Sequence, residues 1–252
     1  MTTRLRWDSG SAIWEESGED GSQVAVADSW LVVEGRTRAL ERHFERFRLS
    51  CAEVGADSGD LEAAVAVIPA ALPPGGRWFP KVSLGDNGAL SLELRPAQAP
   101  QSEVVAWLSP LPDSRRLPRR KGPELQQLGL LREEAAKHGA GEALLADGDG
   151  LLLEGAYSSL LWWEGDVLWA VPDEAPALPG VTRALILELA AQQGIATRFR
   201  QPTLDELEGV EVWLSSALHG IRAVTAWTGG GPQAGAPNRA PAWQQLLDQL
   251  QG

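Results

Sequence analysis

The chain has 252 residues, with 44% hydrophobic and 22% charged residues, which is the balance of a folded globular protein. Its formal net charge of −12 argues against nucleic acid as the main partner, because phosphate backbones require a basic surface. The lone cysteine, Cys51, excludes an intramolecular disulfide and a cysteine-built metal site. The three histidines are scattered and lack metal-ligand spacing, so no metal is expected.

The apolar pattern of the chain argues against targeting and membrane segments. Two arginines near the N-terminus are followed by no apolar segment, which is unlike a signal peptide. Every apolar stretch is interrupted well before the ~18 residues of a membrane span. We therefore expect a cytoplasmic protein that does not enter a membrane.

The first part of the chain predicts strands mixed with two helices. Leu40, Phe44, Phe47 and Cys51 recur at steps of three and four residues, which indicates a helix over 39–54. A second short helix is predicted over 61–68. Runs rich in β-forming residues, bounded by turn signals, predict strands at 24–33, 36–40, 78–82 and 89–94.

A proline-rich break separates this part from a more regular second part. Residues 109–123 contain four prolines and a cluster of arginines, Arg115, Arg116, Arg119 and Arg120, which is typical of a solvated linker. Beyond it the pattern predicts helices at 124–138, 181–193 and 241–250, with strands at 142–146, 151–154, 158–163, 167–170, 211–215 and 222–227.

Strands and helices are mixed rather than strictly alternating, which indicates an α+β fold. We predict an N-terminal domain over 1–108, a linker over 109–120 and a larger C-terminal domain over 121–252. A cleft between the two domains is the expected place for a ligand.

The position of one lysine suggests covalent chemistry. Only Lys81, Lys121 and Lys137 occur in the chain, and Lys121 lies between the linker and a predicted helix. A lysine at the mouth of a cleft can form a Schiff base with an aldehyde if burial lowers its pKa. Taken alone, a lysine that follows two arginines is more often an ordinary surface residue.

An ordered set of motifs strengthens the catalytic interpretation. Lys121-Gly122 is followed by Glu154-Gly155, by Leu178-Pro179-Gly180-Val181-Thr182-Arg183, and by Ser215-Ser216-Ala217-Leu218 with Gly220-Ile221-Arg222. In order and spacing, this set resembles the C-terminal half of the fold-type IV, class IV enzymes that use pyridoxal 5′-phosphate (PLP). Those enzymes include branched-chain and D-amino-acid aminotransferases and aminodeoxychorismate lyase. Residues 43–46 add a weaker match to the family's His-x-x-Arg helix.

The resemblance implies a role for each matching position. Lys121 would hold PLP as a Schiff base and act as the proton-transfer base, and Glu154 would face the pyridine nitrogen and keep it protonated. An anion binds well at a helix N-terminus, so the helix start at Gly180 would hold the phosphate. The phosphate-binding residues implied in this way are Arg46, Gly180, Val181, Thr182, Ser216 and Ala217.

Departures from the family pattern leave the substrate open. Ser159 stands where the family has Asn, and Tyr157 stands at a position that is usually small. Residues 27–30 (Ala-Asp-Ser-Trp) replace a Gly-rich segment ending in Phe-Glu, and Ala217 lacks a hydroxyl. Candidate substrate residues are Ser29, Tyr157, Ser159 and His219.

Three functions stay open at this point. The region 142–163 looks closest to lyase-like members, which favours an aminodeoxychorismate-lyase-like activity that eliminates pyruvate and gives p-aminobenzoate. A class IV aminotransferase for small or branched-chain amino acids is the alternative. A non-catalytic homologue that binds PLP or another metabolite is the alternative of a different class. The resemblance also implies a homodimer and a small substrate that carries an amine and a carboxylate.

Overall fold

The computed structural model describes residues 1–18 and 21–251, and these residues form two compact units of mixed helix and sheet. The first unit contains the described residues of Met1–Ala99, Arg120–Pro123 and Leu250–Gly252. The second contains Pro100–Arg119 and Glu124–Gln249. The α+β, two-domain fold predicted from the sequence is confirmed.

The first unit is built on a five-stranded sheet, a three-stranded sheet and two helices. Its strands are β1 (Thr3–Asp8), β2 (Ile13–Glu16), β3 (Val24–Ser29), β4 (Val32–Val33), β5 (Arg36–Thr37), β6 (Arg77–Trp78), β7 (Lys81–Gly85) and β8 (Leu90–Leu94). The larger sheet has the order β2-β1-β8-β7-β3 and is antiparallel throughout, and the smaller has the order β5-β4-β6.

The two helices of the first unit are α1 (Leu40–Glu53) and α2 (Ser58–Ala71). Of the periodic apolar residues of α1, Phe44, Phe47 and Cys51 are buried in one core with Trp30 and Ile68, and Leu40 packs partly buried against it. Asp57 caps α2, because its carboxylate accepts the backbone N–H of Asp60. Both helices were predicted, and α2 is longer than its predicted span of 61–68.

The second unit is built on an eight-stranded sheet. Its strands are β9 (Glu103–Leu108), β10 (Glu142–Ala146), β11 (Leu152–Gly155), β12 (Ser159–Glu164), β13 (Val167–Ala170), β14 (Thr197–Phe199), β15 (Val212–Ser216) and β16 (Gly220–Thr228), in the order β11-β10-β9-β16-β15-β12-β13-β14. Its helices are α3 (Leu125–Lys137), α4 (Val181–Gln192) and α5 (Ala240–Asp248), with a 3₁₀ turn at Asp205–Leu207.

The apolar faces of this sheet are covered within the second unit. Trp163, Trp213 and Trp243 pack edge to face or tilted, each pair of ring centroids 5.5 Å apart. Leu144, Leu152 and Leu160 are fully buried in the central strands. Across the described part of the chain, every helix is too short or too polar to span a bilayer.

The predicted domain bounds need correction at two places. Residues 103–108 were assigned to the N-terminal domain, but β9 pairs with both β10 and β16 and so belongs to the second unit. Lys121 was assigned to the C-terminal domain, but its carbonyl accepts the backbone N–H of Ala27 in β3 and places it in the first unit. Strands β1, β2, β9 and β14 were not predicted.

Candidate active site

The backbone of Lys121 is fixed against the first unit's sheet. The N–H of Ala27 donates to the Lys121 carbonyl over 2.7 Å. The next residue, Gly122, has a φ of +148°, and a Cβ there would lie 2.8 Å from the Cα of Val26. Only glycine allows so close an approach of the two backbones. The position of Lys121 is therefore set by a strand that lies almost a hundred residues earlier in the chain.

A buried carboxylate on the same strand organises two basic side chains of the first unit. Asp28 is fully buried, and it accepts hydrogen bonds from Nε and Nη2 of Arg46 over 2.7 and 2.8 Å. Nδ1 of His43 lies 2.8 Å from the same carboxylate. These charges and hydrogen bonds outweigh burial and hold the pKa of Asp28 far below its usual range. Asp28 thus orients the guanidinium of Arg46.

Lys121 is electrostatically coupled to this cluster. Burial lowers the pKa of the Lys121 amine to about 8, the Asp28 carboxylate opposes that change, and the charges of Arg46 and Arg95 add to it. Arg95 lies beside Ser29, with 3.4 Å between its Nη2 and the serine hydroxyl, and a third of its side chain is exposed. At neutral pH a usable fraction of the Lys121 amine is therefore unprotonated.

In the second unit, the predicted site residue Glu154 is a buried carboxylate that two neighbouring groups hold. Its Oε1 lies 2.9 Å from Nη2 of Arg115 and accepts the N–H of Leu178 over 3.0 Å. Burial raises the pKa of Glu154 to about 7, although Arg115 and the Leu178 N–H act in the opposite direction. Glu154 and Ser159 both line a small cavity of about 20 Å³.

The start of α4 also borders this cavity. Gly180 occupies the N-cap position, and no side chain of the described residues caps the helix there. A Cβ on Gly180 would collide with the hydroxyl of Ser159. Val181 and Thr182 form the first turn and are buried. The first backbone N–H groups of α4 are thus left for an anion.

Ser216 is the last residue of β15, and Ala217 begins the tight turn between β15 and β16. The Ser216 hydroxyl accepts the N–H of His219 over 3.3 Å. Nδ1 of His219 accepts the backbone N–H of Gln101 over 3.2 Å. In this chain His219 therefore helps to fix the turn.

Tyr157 lies on the surface of the second unit. It is 42% exposed, its ring lies under the guanidinium of Arg132 at 4.7 Å, and its hydroxyl donates to the Leu125 carbonyl over 3.3 Å. These contacts are with α3, so within this chain they give no support to the predicted substrate role.

The arginine cluster of the predicted linker is not simply solvated. Arg115 is almost fully buried between Asp113 and Glu154, and Arg119 donates to the carbonyls of Asp173 and Ala175. Arg120 pairs with Glu53 over 2.9 Å. The solvated interpretation is wrong for the Arg115 side chain, which two buried carboxylates hold, whereas Arg119 is exposed and Arg120 pairs with an exposed glutamate.

Sequence reasoning therefore missed several members of the candidate site. Asp28 carried one usable signal, since it is a charged residue inside the apolar run Val24–Ser29. Arg95 and Arg115 carried none that separates them from the chain's many surface arginines.

Comparisons with known proteins agree with this fold. The family model described as Amino-transferase class IV matches residues 25–227. The branched-chain-amino-acid aminotransferase of Escherichia coli (strain K12) is 32% identical over 111 residues, or 44% of this chain and 35% of that protein. The chain thus aligns with about a third of the length of that relative.

Two solved structures share the fold over nearly the whole chain. A hypothetical aminotransferase from Mycobacterium tuberculosis, in its PLP-bound form, has a TM-score of 0.80 at 20% identity and covers 99% of this chain and 98% of its own. A protein of Legionella pneumophila described as a 4-amino-4-deoxychorismate lyase has a TM-score of 0.78 at 18% identity, with coverage of 93% and 95%.

This chain belongs to the class IV aminotransferase family. The predicted family, a PLP-dependent enzyme class and the PLP cofactor are confirmed at the level of that family. The residues present fit the cofactor. Lys121 has a lowered pKa, Glu154 is a buried carboxylate, and the start of α4 lacks a side-chain cap among the described residues.

Proposed function

We propose that the chain is a PLP-dependent enzyme that acts on an amino-bearing carboxylate, with Lys121 as the residue that attaches the cofactor. The observation that carries the proposal is the environment of Lys121. Its amine has a pKa of about 8, because burial and two arginines disfavour the charged form more than Asp28 favours it. An amine of this kind is a competent nucleophile toward an aldehyde at neutral pH. Neither exposed Lys137 nor Lys81, which pairs with Glu93 over 2.8 Å, has comparable surroundings.

The other residues have roles that follow from their chemistry. Bound PLP supplies an electron sink for the bond broken at the substrate Cα. Glu154 holds a negative charge for the ring nitrogen, and Arg46, oriented by Asp28, supplies a cation for the phosphate. Within the second unit, the backbone at Gly180, Val181 and Thr182 supplies N–H donors for a phosphate, together with the turn at Ser216 and Ala217.

Substrate recognition rests on different residues. Arg95 offers a partly exposed cation beside Ser29, and it acts electrostatically on Lys121. This arrangement supports a substrate that carries a carboxylate near its reacting amine. Lys121 would also move a proton at the substrate Cα, a role to which its lowered pKa is suited. Ser159 lines the same cavity as Glu154.

The first experiment maps the attachment site. Purified protein is incubated with PLP, its visible spectrum is recorded, and the sample is reduced with borohydride and digested for peptide mapping. We expect a stable label on Lys121 in the wild type and none in Lys121→Ala. A label on Lys81 or Lys137, with Lys121 unlabelled, would refute the proposed site.

The reaction we favour is aminodeoxychorismate-lyase-like, with elimination of pyruvate to give p-aminobenzoate. The lyase-like pattern of residues 142–163 supports it. The sequence similarity to a branched-chain aminotransferase supports the alternative, a transaminase for small or branched-chain amino acids. A lyase turns over with its amine substrate alone, whereas a transaminase also needs a keto acid to accept the amino group. Release of pyruvate and p-aminobenzoate without added keto acid supports the lyase, and amine transfer that depends on a keto acid supports the transaminase.

A non-catalytic binder remains the third hypothesis, motivated by Ser159 and by the altered segment at residues 27–30. It predicts tight PLP binding at Lys121 without turnover of any amine. The cluster of buried Asp28 with partly buried Arg46 and Lys121 argues against it, because bringing these charges out of water is costly and a site without function has no physical reason to keep them. Turnover of either substrate class above the Lys121→Ala background would exclude it.

A further inference from the structure

We infer that Arg115 is a positioning residue for Glu154: held by Asp113, it fixes Oε1 of Glu154 and leaves Oε2 to face the ring nitrogen of the cofactor. This inference deepens the proposed function and rests on it for the role of Glu154. It assigns a role to an arginine that the sequence pattern placed in a solvated linker.

The geometry of Arg115 is that of a side chain held from both ends. Its Nε lies 3.0 Å from each carboxylate oxygen of Asp113, and its Nη2 lies 2.9 Å from Asp113 and 2.9 Å from Oε1 of Glu154. Only 4% of the Arg115 side chain is exposed. The backbone N–H of Asp113 is in turn bonded to the carbonyl of Ala146 at the end of β10. A guanidinium fixed in this way cannot swing to solvent without losing both ion pairs.

The two oxygens of Glu154 are used differently. Oε1 forms the ion pair with Arg115 and accepts the N–H of Leu178. Oε2 takes part in no hydrogen bond with the described residues. Leu178 lies two residues before Gly180. Oε1 thus ties the carboxylate to the segment that leads into the start of α4, and Oε2 stays available to a ligand.

Other charges surround this carboxylate. Asp113 raises the pKa of Glu154 and Arg115 lowers it, while Arg119, Asp173 and Arg183 line the adjoining cavity. Arg183 pairs with Asp173 over 2.7 Å, and Arg119 donates to backbone carbonyls. Arg115 is therefore the cation that contacts Glu154 directly among the described residues. Its loss leaves a buried carboxylate facing Asp113, and the neutral form of Glu154 becomes favoured.

The test measures Glu154 without relying on turnover. Glutamate side-chain carboxyls are labelled with ¹³C, and the Glu154 resonance, assigned with Glu154→Gln, is titrated in cofactor-free protein. The variants are Arg115→Met, Arg115→Lys and the neighbouring control Arg116→Met, whose side chain is exposed. We expect Arg115→Met to raise the pKa of Glu154, Arg115→Lys to raise it less, and the control to leave it unchanged.

Loaded enzyme provides the second readout. In Arg115→Met we expect kcat to fall by about tenfold for each unit by which the pKa of Glu154 rises above the working pH, while KM changes little. Its pH profile should move in the same direction, and borohydride should still label Lys121.

Three outcomes separate the hypotheses. An unchanged Glu154 titration in both Arg115 variants would overturn the role of Arg115, even if PLP still labels Lys121. A shifted titration without labelling of Lys121 in the wild type would support the contact but refute the proposed function. If Arg115→Met does not fold, the titration of Glu154 in Arg115→Lys tests the role of Arg115. That variant keeps the positive charge but loses the planar guanidinium that contacts Asp113 and Glu154 together.

Discussion

Burial controls the charge of Lys121, and this has a cost in the cofactor-free protein. The amine has a pKa of about 8 in the folded chain against an ordinary value of 10.5. Below pH 8 the lysine is charged both folded and unfolded, so the folded state bears the full cost of burying it. Between pH 8 and 10.5 the folded state releases the proton first, and stability rises with pH.

We therefore predict that Lys121→Met stabilises the cofactor-free protein at pH 7. The gain should approach about 3 kcal/mol, at ~1.4 kcal/mol for each unit of the pKa change. It should shrink as pH rises above 8. Urea unfolding between pH 7 and 9.5 measures both effects, with Lys137→Met, an exposed helix residue, as the control. If Lys121→Met is less stable than wild type at pH 7, burial of the charged Lys121 amine does not destabilise the folded protein, and the prediction is wrong.

Asp28 has the opposite role, because it compensates the buried positive charges. We predict that Asp28→Asn costs about 3 to 5 kcal/mol of stability, since it leaves Arg46 without its buried partner. Loss of the negative charge should also lower the pKa of Lys121 further. Chemical denaturation tests the first effect, and the pH dependence of PLP attachment tests the second. Asp149→Asn, on an exposed turn, is the matched control; equal behaviour of the two variants would be incompatible with this role.

At the scale of elements, the start of α4 depends on the absence of a side chain at residue 180. A Cβ there meets the Ser159 hydroxyl, so either the Ser159 side chain or the start of α4 must move. We predict that Gly180→Ala weakens PLP binding, because the displaced helix start no longer directs its N–H groups at the phosphate. Fluorescence titration with PLP measures the affinity.

A double mutant makes this prediction specific. Ser159→Ala removes the hydroxyl that the new Cβ would meet, so the pair Gly180→Ala with Ser159→Ala should recover part of the affinity. Gly148→Ala, where a Cβ meets no neighbouring atom, should leave binding unchanged. Additive losses in the double mutant would show that the collision is not the cause.

The elements differ in how far the sequence could predict them. Helix α1 was predictable because its buried residues recur at helical spacing, and the turn at residues 85–88 was predictable from its glycine and asparagine. Strands β1 and β9 were missed. The more buried positions of β1 alternate with exposed, charged residues, which weakens its apolar pattern. β9 follows a proline-rich stretch whose sequence predicts a loop. Pairing with distant strands, rather than local pattern, makes both of them strands.

The candidate site was predictable only in part. Motif order indicated Lys121, Glu154 and Gly180, because each lies at a turn or element end whose sequence is distinctive. The charged residues that surround them were not, since Arg95 and Arg115 differ from surface arginines only in their tertiary partners. Nothing in a sequence without its fold separates a buried ion pair from a solvated one.

At the scale of the whole molecule, the prediction of a homodimer stands to be tested. Each copy carries a net charge of −12, so two copies repel one another at low ionic strength. We predict a dimer whose dissociation constant decreases as salt rises, because the Debye length falls from about 30 Å at 0.01 M to about 10 Å at 0.1 M. Sedimentation equilibrium at the two salt concentrations measures it. A monomer at micromolar concentration in both would contradict the prediction.

The hydrogen bond between Ala27 and Lys121 matters if the protein is produced as two separate fragments. The first unit takes four of its residues, Arg120–Pro123, from the middle of the chain. A fragment that stops at residue 99 would keep Asp28, Arg46 and Arg95 but would lack the lysine they surround. The complementary fragment would carry Lys121 without the strand that holds it. Split versions of this protein should therefore regain cofactor attachment only when both pieces are present together.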